Sequence, residues 1–228
     1  LAEVGGLKPE TEIILDDETA SKLRAGLLPP EEDPHIQAAM AALKAGKHVM
    51  CEKPITVNYA LSCEMAEQAK KSDKILNIGV CNRYNKSVEM LEELNKQGRF
   101  GDIYHVYCSF RSFRSIPGLG GSFTTKAQSG GGVLIDWGIH FLDLILYILG
   151  NAKLKNVTCD AYCALAKDMK SYKYREMWAE DTSDIENGTN DVDDFISGYV
   201  RTDKANISFN GAWAQNIDKD EMFIDFMG

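Results

Sequence analysis

The tripeptide Glu52-Lys53-Pro54 is the first group of residues whose types suggest chemistry. It directly follows the short run 48–51, which the pattern predicts to be a strand. Ligands bind at the carboxyl ends of strands in open α/β sheets, so a lysine here could donate a hydrogen bond to a substrate hydroxyl or help to deprotonate it. Pro54 fixes the chain direction beyond it, and the Lys53–Pro54 bond could be cis. The alternative interpretation is a surface turn whose Glu and Lys are merely solvated.

A second group lies on a predicted helix over residues 135–149. Asp136 and His140 are four residues apart and Asp143 follows three later, spacings that place all three on one helix face. Because the rest of the helix is apolar, this face must line a cavity or find partners. Histidine takes up a proton near neutral pH, which suits His140 for acid–base catalysis, and we assign Asp143 to the orientation of His140.

The same spacing has two other interpretations. Asp136 could stabilise the helix dipole, and His140 could be a core histidine with its hydrogen bonds satisfied. The Asp–His pair would also permit a metal ion, but no third ligand follows at a fitting spacing, so no metal site is predicted.

Composition excludes several functional classes. The chain has 228 residues, a formal net charge of -9 and a pI of about 5.0, which disfavours binding to nucleic acid or anionic membrane. Six cysteines without C-x-x-C spacing or a secretory signal indicate reduced thiols and a cytoplasmic protein. The longest apolar run, 132–149, is interrupted by Asp136, His140 and Asp143, and it indicates a buried helix rather than a membrane span.

The first half of the chain is predicted to form a βαβ unit. The predicted elements are a helix over 34–45 capped by Asp33, a strand over 48–51, a helix over 58–72 and a strand over 75–80. A strand, a helix and a strand at this spacing form a parallel sheet with a right-handed crossover. We therefore expect a partial Rossmann-like α/β domain over 1–100.

The second half changes to strands in succession. The predicted elements are strands over 103–111, 157–165, 194–201 and 205–214, the beginning of another over 221–226, the helix over 135–149, and loops over 112–132 and 167–191. Such runs indicate an α+β domain with an open, mostly antiparallel sheet. We place this domain at 101–228, with the boundary near residues 98–101.

Four segments, in order, resemble one family. Residues 44–54 read Lys-Ala-Gly-Lys-His-Val-Met-Cys-Glu-Lys-Pro and are similar to the A-G-K-H-V-x-x-E-K-P segment of the glucose–fructose oxidoreductase / inositol dehydrogenase / MocA (Gfo/Idh/MocA) family. Residues 130–140 resemble its G-G-G-x-x-x-D-x-G-x-H signature on the first helix of the substrate domain. Pro29-Pro30 with His35 resembles its T-P-x-x-x-H loop, and residues 79–84 resemble its G-x-x-x-R-[FY] strand end.

The resemblance implies NAD or NADP as cofactor and assigns catalytic roles. Lys53 is expected to contact both the substrate and the nicotinamide ribose. Asp136 and His140 are expected to bind substrate, with His140 as acid and base and with Lys53 and Asp136 in the catalytic group. The residues expected to contact the cofactor are Glu52, Lys53, Pro54, Arg83, Pro30 and His35.

Further residues are expected to contact substrate. Arg83 and Tyr84 would line the cleft between the domains. The loop 111–128 would reach the substrate through Thr124 and Lys126, although a surface loop or an oligomer contact is an equal alternative. The aromatic residues Trp137, Trp213 and Phe123 could stack on a sugar, but packing in the core is the preferred interpretation for each.

The function that follows is hydride transfer between nicotinamide and a hydroxyl-bearing carbon of a sugar, sugar derivative or polyol. Two alternatives stay open: an NAD-dependent glycoside hydrolase that oxidises its sugar transiently, and a non-catalytic sugar-binding relative. The family also implies a homo-oligomer that meets through the C-terminal sheet. Because no G-x-G-x-x-G fingerprint follows an N-terminal strand, we expect that residues of the natural protein are missing from this sequence.

Overall fold

The computed structural model describes residues 34–173 and 183–228. The chain divides into two compact units, one ending at Val80 and the other beginning at Cys81. Residues 81–100 therefore group with the second unit, whereas the predicted boundary lay near residues 98–101. The physical reason is a helix in this segment, Lys86–Lys96, which packs against the helix Ile139–Ile148.

The first unit is a strand–helix–strand unit with one more helix. Helix α1 (Pro34–Lys44) precedes β1 (Val49–Cys51), helix α2 (Tyr59–Ser72) and β2 (Leu76–Ile78). The two strands are parallel, with Val49 opposite Leu76, which confirms the predicted βαβ unit. Asp33, the predicted cap of α1, lies outside the described residues.

Local sequence explains where α2 begins and ends. The side chain of Asn58 accepts hydrogen bonds from the backbone N–H groups of Ala60 (2.9 Å) and Leu61 (3.3 Å). Asp73 ends the helix in the left-handed conformation, with φ of 53°. Met65 on α2 is fully buried against Ile36 and Ala39 of α1, so the two helices share a small apolar cluster.

The second unit combines short helical segments with one sheet. A 3₁₀ turn (Cys81–Tyr84) leads into α3 (Lys86–Lys96), which the sequence did not predict. Beyond β3 come another 3₁₀ turn (Ser122–Thr124) and the short helix α4 (Lys126–Ser129). A π-helical turn (Leu134–Gly138) then runs into α5 (Ile139–Ile148), where one continuous helix was predicted, and a 3₁₀ turn (Met169–Ser171) follows later.

The sheet of the second unit has five strands in the order β4-β5-β6-β3-β7. Its members are β3 (His105–Arg111), β4 (Leu154–Tyr162), β5 (Phe195–Thr202), β6 (Asn206–Ala212) and β7 (Glu221–Met227). Among the strands in the described ranges, the β3–β6 pair of this sheet is parallel, with His105 opposite Asn206, and its other pairs are antiparallel. This confirms the predicted fold class: a partial Rossmann-like parallel sheet and a mostly antiparallel sheet domain.

Alternating side chains of β3 place the core on one face of this sheet. Val106, Cys108 and Phe110 are fully buried, and the Phe110 ring stacks on Phe141 of α5 at a centroid distance of 4.8 Å. The helix over the sheet is therefore held by direct aromatic packing.

One helical stretch in the described residues, Lys126–Ile148, is long and apolar enough to cross a membrane by length and composition alone. The core helix of a globular domain passes the same test. Here Val133 and Ile145 belong to the hydrophobic core above the sheet, and the stretch also carries Asp136, His140 and Asp143. These observations favour a core helix.

Candidate active site

Lys53 lies at the carboxyl end of the parallel strand pair. Its backbone N–H donates to Oε2 of Glu52 (3.2 Å), and the Lys53–Pro54 peptide bond is cis. Gly79, just beyond β2, donates its N–H to the carbonyl of Cys51 (2.8 Å). A Cβ at Gly79 would lie 2.9 Å from Oε2 of Glu52, so the end of this flexible side chain lies close to the Gly79 backbone. The ends of the two strands thus bring Glu52 beside Gly79.

The glycine run 130–132 precedes the π-helical turn and is held by Asp193, which lies just before β5. The Asp193 carboxylate accepts hydrogen bonds from the N–H groups of Gly132 (2.9 Å) and Leu134 (3.0 Å). A Cβ at Gly132 would lie 1.9 Å from the Asp193 carbonyl oxygen. Glycine at this position is therefore a packing requirement of the turn.

Asp136 lies in the middle of the π-helical turn, and its side chain is directed towards the sheet. It is buried, and its Oδ2 accepts a hydrogen bond from Nε1 of Trp213 (3.2 Å). The Ile139 N–H bonds back to the Leu134 carbonyl, the wider spacing that defines a π turn. Such turns occur often at functional sites. Trp213 is itself buried in the core, which agrees with the preferred interpretation of this residue.

His140 is the second residue of α5 and is half-buried. The π-helical turn separates it from Asp136, so the regular α-helical spacing assumed for the three polar residues does not hold along the whole segment. Trp137 and Phe141, its near neighbours in sequence, pack against the core.

The assignment of Asp143 to the orientation of His140 is wrong. Both Asp143 carboxylate oxygens accept hydrogen bonds from Arg83, with Nε of Arg83 2.7 Å from Oδ2 and Nη2 bonded to Oδ1. The hydrogen bond to Asp143 raises the pKa of the Arg83 guanidinium, which also lies 4.9 Å from the centre of the Tyr147 ring. A bidentate ion pair of this kind fixes the 3₁₀ turn to α5. Tyr84, the residue after Arg83, is exposed.

Two loop residues predicted to bind substrate have other surroundings. Thr124 is fully buried, and its hydroxyl accepts from the Gly120 N–H (2.9 Å) and donates to the Thr189 carbonyl (2.9 Å). These two hydrogen bonds hold Thr124 in the loop, and its predicted substrate contact stays a prediction. Lys126 has an exposed side chain, and its N–H donates to Oδ1 of Asp191 (2.6 Å).

The remaining predicted cofactor residues lie mostly in the first unit. Pro30 lies outside the described residues, and His35 is exposed on α1. Pro54 and Lys53 are half-buried, whereas Glu52 is exposed beside Gly79. Phe123, the third aromatic candidate, is half-buried in the 3₁₀ turn Ser122–Thr124.

Sequence reasoning missed Asp193 and did not foresee that Trp213, considered for stacking or core packing, bonds to Asp136. Asp193 and Trp213 come from the loop before β5 and from the end of β6, far along the chain from residues 130–140. The pair Asp193-Asp194, at the start of the strand predicted over 194–201, was a visible signal, but nothing in the sequence indicates which helix it contacts.

The described residues fit part of a dinucleotide site. The carboxyl ends of parallel strands are where dinucleotides bind in such sheets, and the close approach of Glu52 to Gly79 shapes that edge. Lys53 and Glu52 would hold the nicotinamide–ribose end. Within 34–173 and 183–228, no group of three or more His, Cys, Asp and Glu side chains could hold a metal ion.

Comparisons with known proteins agree with this arrangement. The chain is 32% identical to D-glucoside 3-dehydrogenase of Escherichia coli (strain K12), over 73% of this chain and 47% of that protein. It is 33% identical to myo-inositol 2-dehydrogenase of Thermotoga maritima, over 51% of this chain and 33% of that protein. The chain thus spans about half the length, or less, of these relatives.

Solved structures share the fold. The structure of levoglucosan dehydrogenase in complex with NADH and levoglucosan superposes with a TM-score of 0.69, at 21% identity, over 85% of this chain and 49% of that one. The family model "Oxidoreductase family, NAD-binding Rossmann fold" matches residues 16–80, and the "GFO/IDH/MocA C-terminal domain" model matches residues 88–226. With both domain models matched in order, and with the signature residues in the two units described above, the chain belongs to the GFO/IDH/MocA family of oxidoreductases.

Proposed function

We propose that the chain is part of an NAD(P)-dependent oxidoreductase that acts on a hydroxyl-bearing carbon of a sugar, sugar derivative or polyol. The observation that carries the proposal is the pairing of an NAD-binding family match over 16–80 with Lys53 at the carboxyl end of the parallel strands. Relatives named as glucoside and inositol dehydrogenases support the substrate class.

The proposal gives each unit its own catalytic side chain. His140 accepts the hydroxyl proton of the substrate in the oxidation direction and returns it in the reverse direction. The ammonium group of Lys53 donates a hydrogen bond to a substrate hydroxyl and stabilises negative charge on its oxygen. Nicotinamide, when bound, supplies the hydride acceptor.

Asp136 binds a substrate hydroxyl in this proposal. Its buried carboxylate already accepts the Trp213 N–H on Oδ2, and an ionised carboxylate has further acceptor capacity. The Trp213 hydrogen bond therefore restrains Oδ2 before substrate arrives, which lowers the ordering cost of binding.

Cofactor reduction by the whole protein with a panel of glycosides, inositols and free sugars tests the proposal. His140→Ala and Lys53→Ala should each lower kcat by about 100-fold or more, the usual range for loss of a proton-transfer group. Lys71→Ala, on the exposed side of α2 in the same unit as Lys53, is the matched control for removal of an ammonium group and should leave kcat unchanged. Full activity in both site variants would refute the assigned roles.

The same panel separates dehydrogenation from the hydrolytic alternative. A dehydrogenase consumes NAD(P) in proportion to product, whereas an NAD-dependent glycoside hydrolase releases the aglycone without net cofactor consumption. A protein that binds the sugars but shows neither reaction would be the non-catalytic relative.

We further propose a cytoplasmic homo-oligomer that binds neither nucleic acid nor membrane. The net charge of -9 and six free cysteines support the environment. Exposure of β4 along its whole length, including Leu154, Val157 and Tyr162, supports an interface between subunits at the sheet. Light scattering of the whole protein measures the assembly, and a monomer at micromolar concentration would contradict it.

A further inference from the structure

Asp193 is bound to the beginning of the segment that carries Asp136 and His140. It lies directly before β5, 59 residues from Leu134 along the chain. Its Oδ1 accepts the Gly132 N–H (2.9 Å) and its Oδ2 accepts the Leu134 N–H (3.0 Å). Its backbone carbonyl accepts the intervening Val133 N–H (2.9 Å). One residue thus receives three consecutive N–H groups.

These N–H groups are the ones that a helix cannot satisfy by itself. The first N–H groups of a helix have no acceptor within it, and a carboxylate beside them also complements the helix dipole. Gly132 and Val133 are buried, so water cannot substitute for Asp193 without opening the structure. The start of the π-helical turn is therefore fixed at the position of Asp193.

Asp194, the next residue, is connected to the Asp136 side chain through Trp213. The Asp194 carbonyl accepts the Trp213 N–H (3.0 Å), and Nε1 of Trp213 donates to Oδ2 of Asp136 (3.2 Å). The dipeptide 193–194 thus fixes both the backbone before Asp136 and the donor that holds its carboxylate.

We propose that Asp193 is a positioning residue of the reaction: it sets the place of Asp136 and His140 through the N–H groups of Gly132 and Leu134. The inference rests on the proposed function. Reacting groups tolerate little displacement, since a misplacement of about 1 Å can lower a rate by about 100-fold.

Replacement of the carboxylate gives a graded test. Asp193→Ala removes both side-chain acceptors. It should lower kcat by at least about 10-fold and also raise KM, because it displaces both the proton acceptor His140 and the substrate-binding Asp136. Asp193→Asn keeps one acceptor oxygen, so its kcat should lie between wild type and Asp193→Ala.

Asp203→Ala is the matched control. Asp203 is an exposed aspartate beyond the other end of β5, and its Oδ1 accepts the Lys153 N–H (2.7 Å), the same type of contact. Loss of the Asp203 carboxylate should lower the free energy of unfolding without changing kcat at a temperature where the protein is folded. A purely structural role for Asp193 predicts the same result for both variants.

The imidazole C–H resonances of the whole protein give a readout that needs no substrate. The chain has four histidines, and the His140 signal is identified by its disappearance in His140→Gln. It should move in Asp193→Ala and stay in place in Asp203→Ala. If it stays in place in folded Asp193→Ala, or if an active wild type keeps its kcat in that variant, the inference is overturned. If the panel of glycosides, inositols and free sugars shows no oxidation, the proposed function fails. The His140 resonance then decides by itself whether Asp193 positions His140.

Discussion

The two units hold their site residues by different means. In the first unit, the Lys53 N–H donates to its neighbour Glu52, whose carboxylate lies beside Gly79 at the end of the adjacent strand. In the second unit, Asp136 and the turn before it are held by Trp213 and Asp193, which are remote in sequence. A motif at a strand end makes contacts with residues beside it or on the adjacent strand end, whereas a motif on a helix over a sheet depends on the segments packed around it.

The hydrophobic clusters of the two units also differ, in size. The described part of the first unit buries Ile36, Ala39 and Met65 in one small cluster. The second unit has a large continuous core that includes Phe110, Ile145 and Trp213. We therefore expect the position of Asp136 and His140 to depend more on core packing than that of Lys53.

Core truncation should give the largest effect. Phe110→Ala should lower the unfolding free energy of the second unit by about 3–5 kcal/mol, because it removes a fully buried ring that stacks on Phe141. Met65→Ala should cost about 2–5 kcal/mol in the first unit. Since all three tryptophans follow residue 80, their fluorescence reports the second unit, and hydrogen exchange of the α2 amides reports the first.

The comparison fails if Phe110→Ala raises exchange in α2 as much as Met65→Ala does. The two units would then unfold together, and their separate clusters would not describe separate stabilities. Phe110→Leu, which keeps most of the apolar volume, should lie between wild type and Phe110→Ala.

Loss of the Asp143 carboxylate should have an intermediate effect. Asp143→Ala leaves the partly buried Arg83 guanidinium without its bidentate partner and should cost about 1–2 kcal/mol in denaturant unfolding. The control is Glu89→Ala, which removes the surface pair with Lys86 and should cost at most about 0.5 kcal/mol. If folded Asp143→Ala loses kcat, Asp143 acts on the reaction and its purely structural assignment is incorrect.

The smallest expected effect is a pH dependence from Asp194. Burial raises the pKa of this carboxyl above its ordinary value of 3.8, although three backbone N–H groups, of Ala164, Leu165 and Ala166, oppose the shift. A raised pKa in the folded state means that the contribution of Asp194 to stability is complete below the ordinary value and decreases as pH rises through the folded value. The unfolding free energy of wild type minus that of Asp194→Asn should therefore fall as pH rises from 3.8 towards neutral. A constant difference over this range would contradict the shift.

Local sequence patterns predicted most of the elements. The alanine-rich helix ending before Gly46, the Asn58 cap and the apolar strands at 48–51 and 75–80 all have counterparts in the structure. The strand that begins at Glu221 was also predicted and forms the sheet edge β7. These predictions succeeded because caps, periodicity and turn residues act within a few positions of one another.

Helix α3 and the π-helical turn were not predicted, for different reasons. Helix α3 is amphipathic, yet no element is predicted between residue 80 and the predicted domain boundary near residues 98–101. The π-helical turn has no sequence signature distinct from an α-helix and arises where Asp193 and Trp213 hold the segment.

The sequence by itself determined the family, the fold class and the identity of Lys53, Asp136 and His140 as candidates, because these follow from residue types at short, fixed spacing. Only the tertiary structure decided that Asp143 pairs with Arg83, that Thr124 is buried, and that Asp193 receives the N–H groups at the helix start. The physical reason is that a hydrogen bond is selected by distance in space, and folding brings together donors and acceptors that lie some 60 residues apart in the chain.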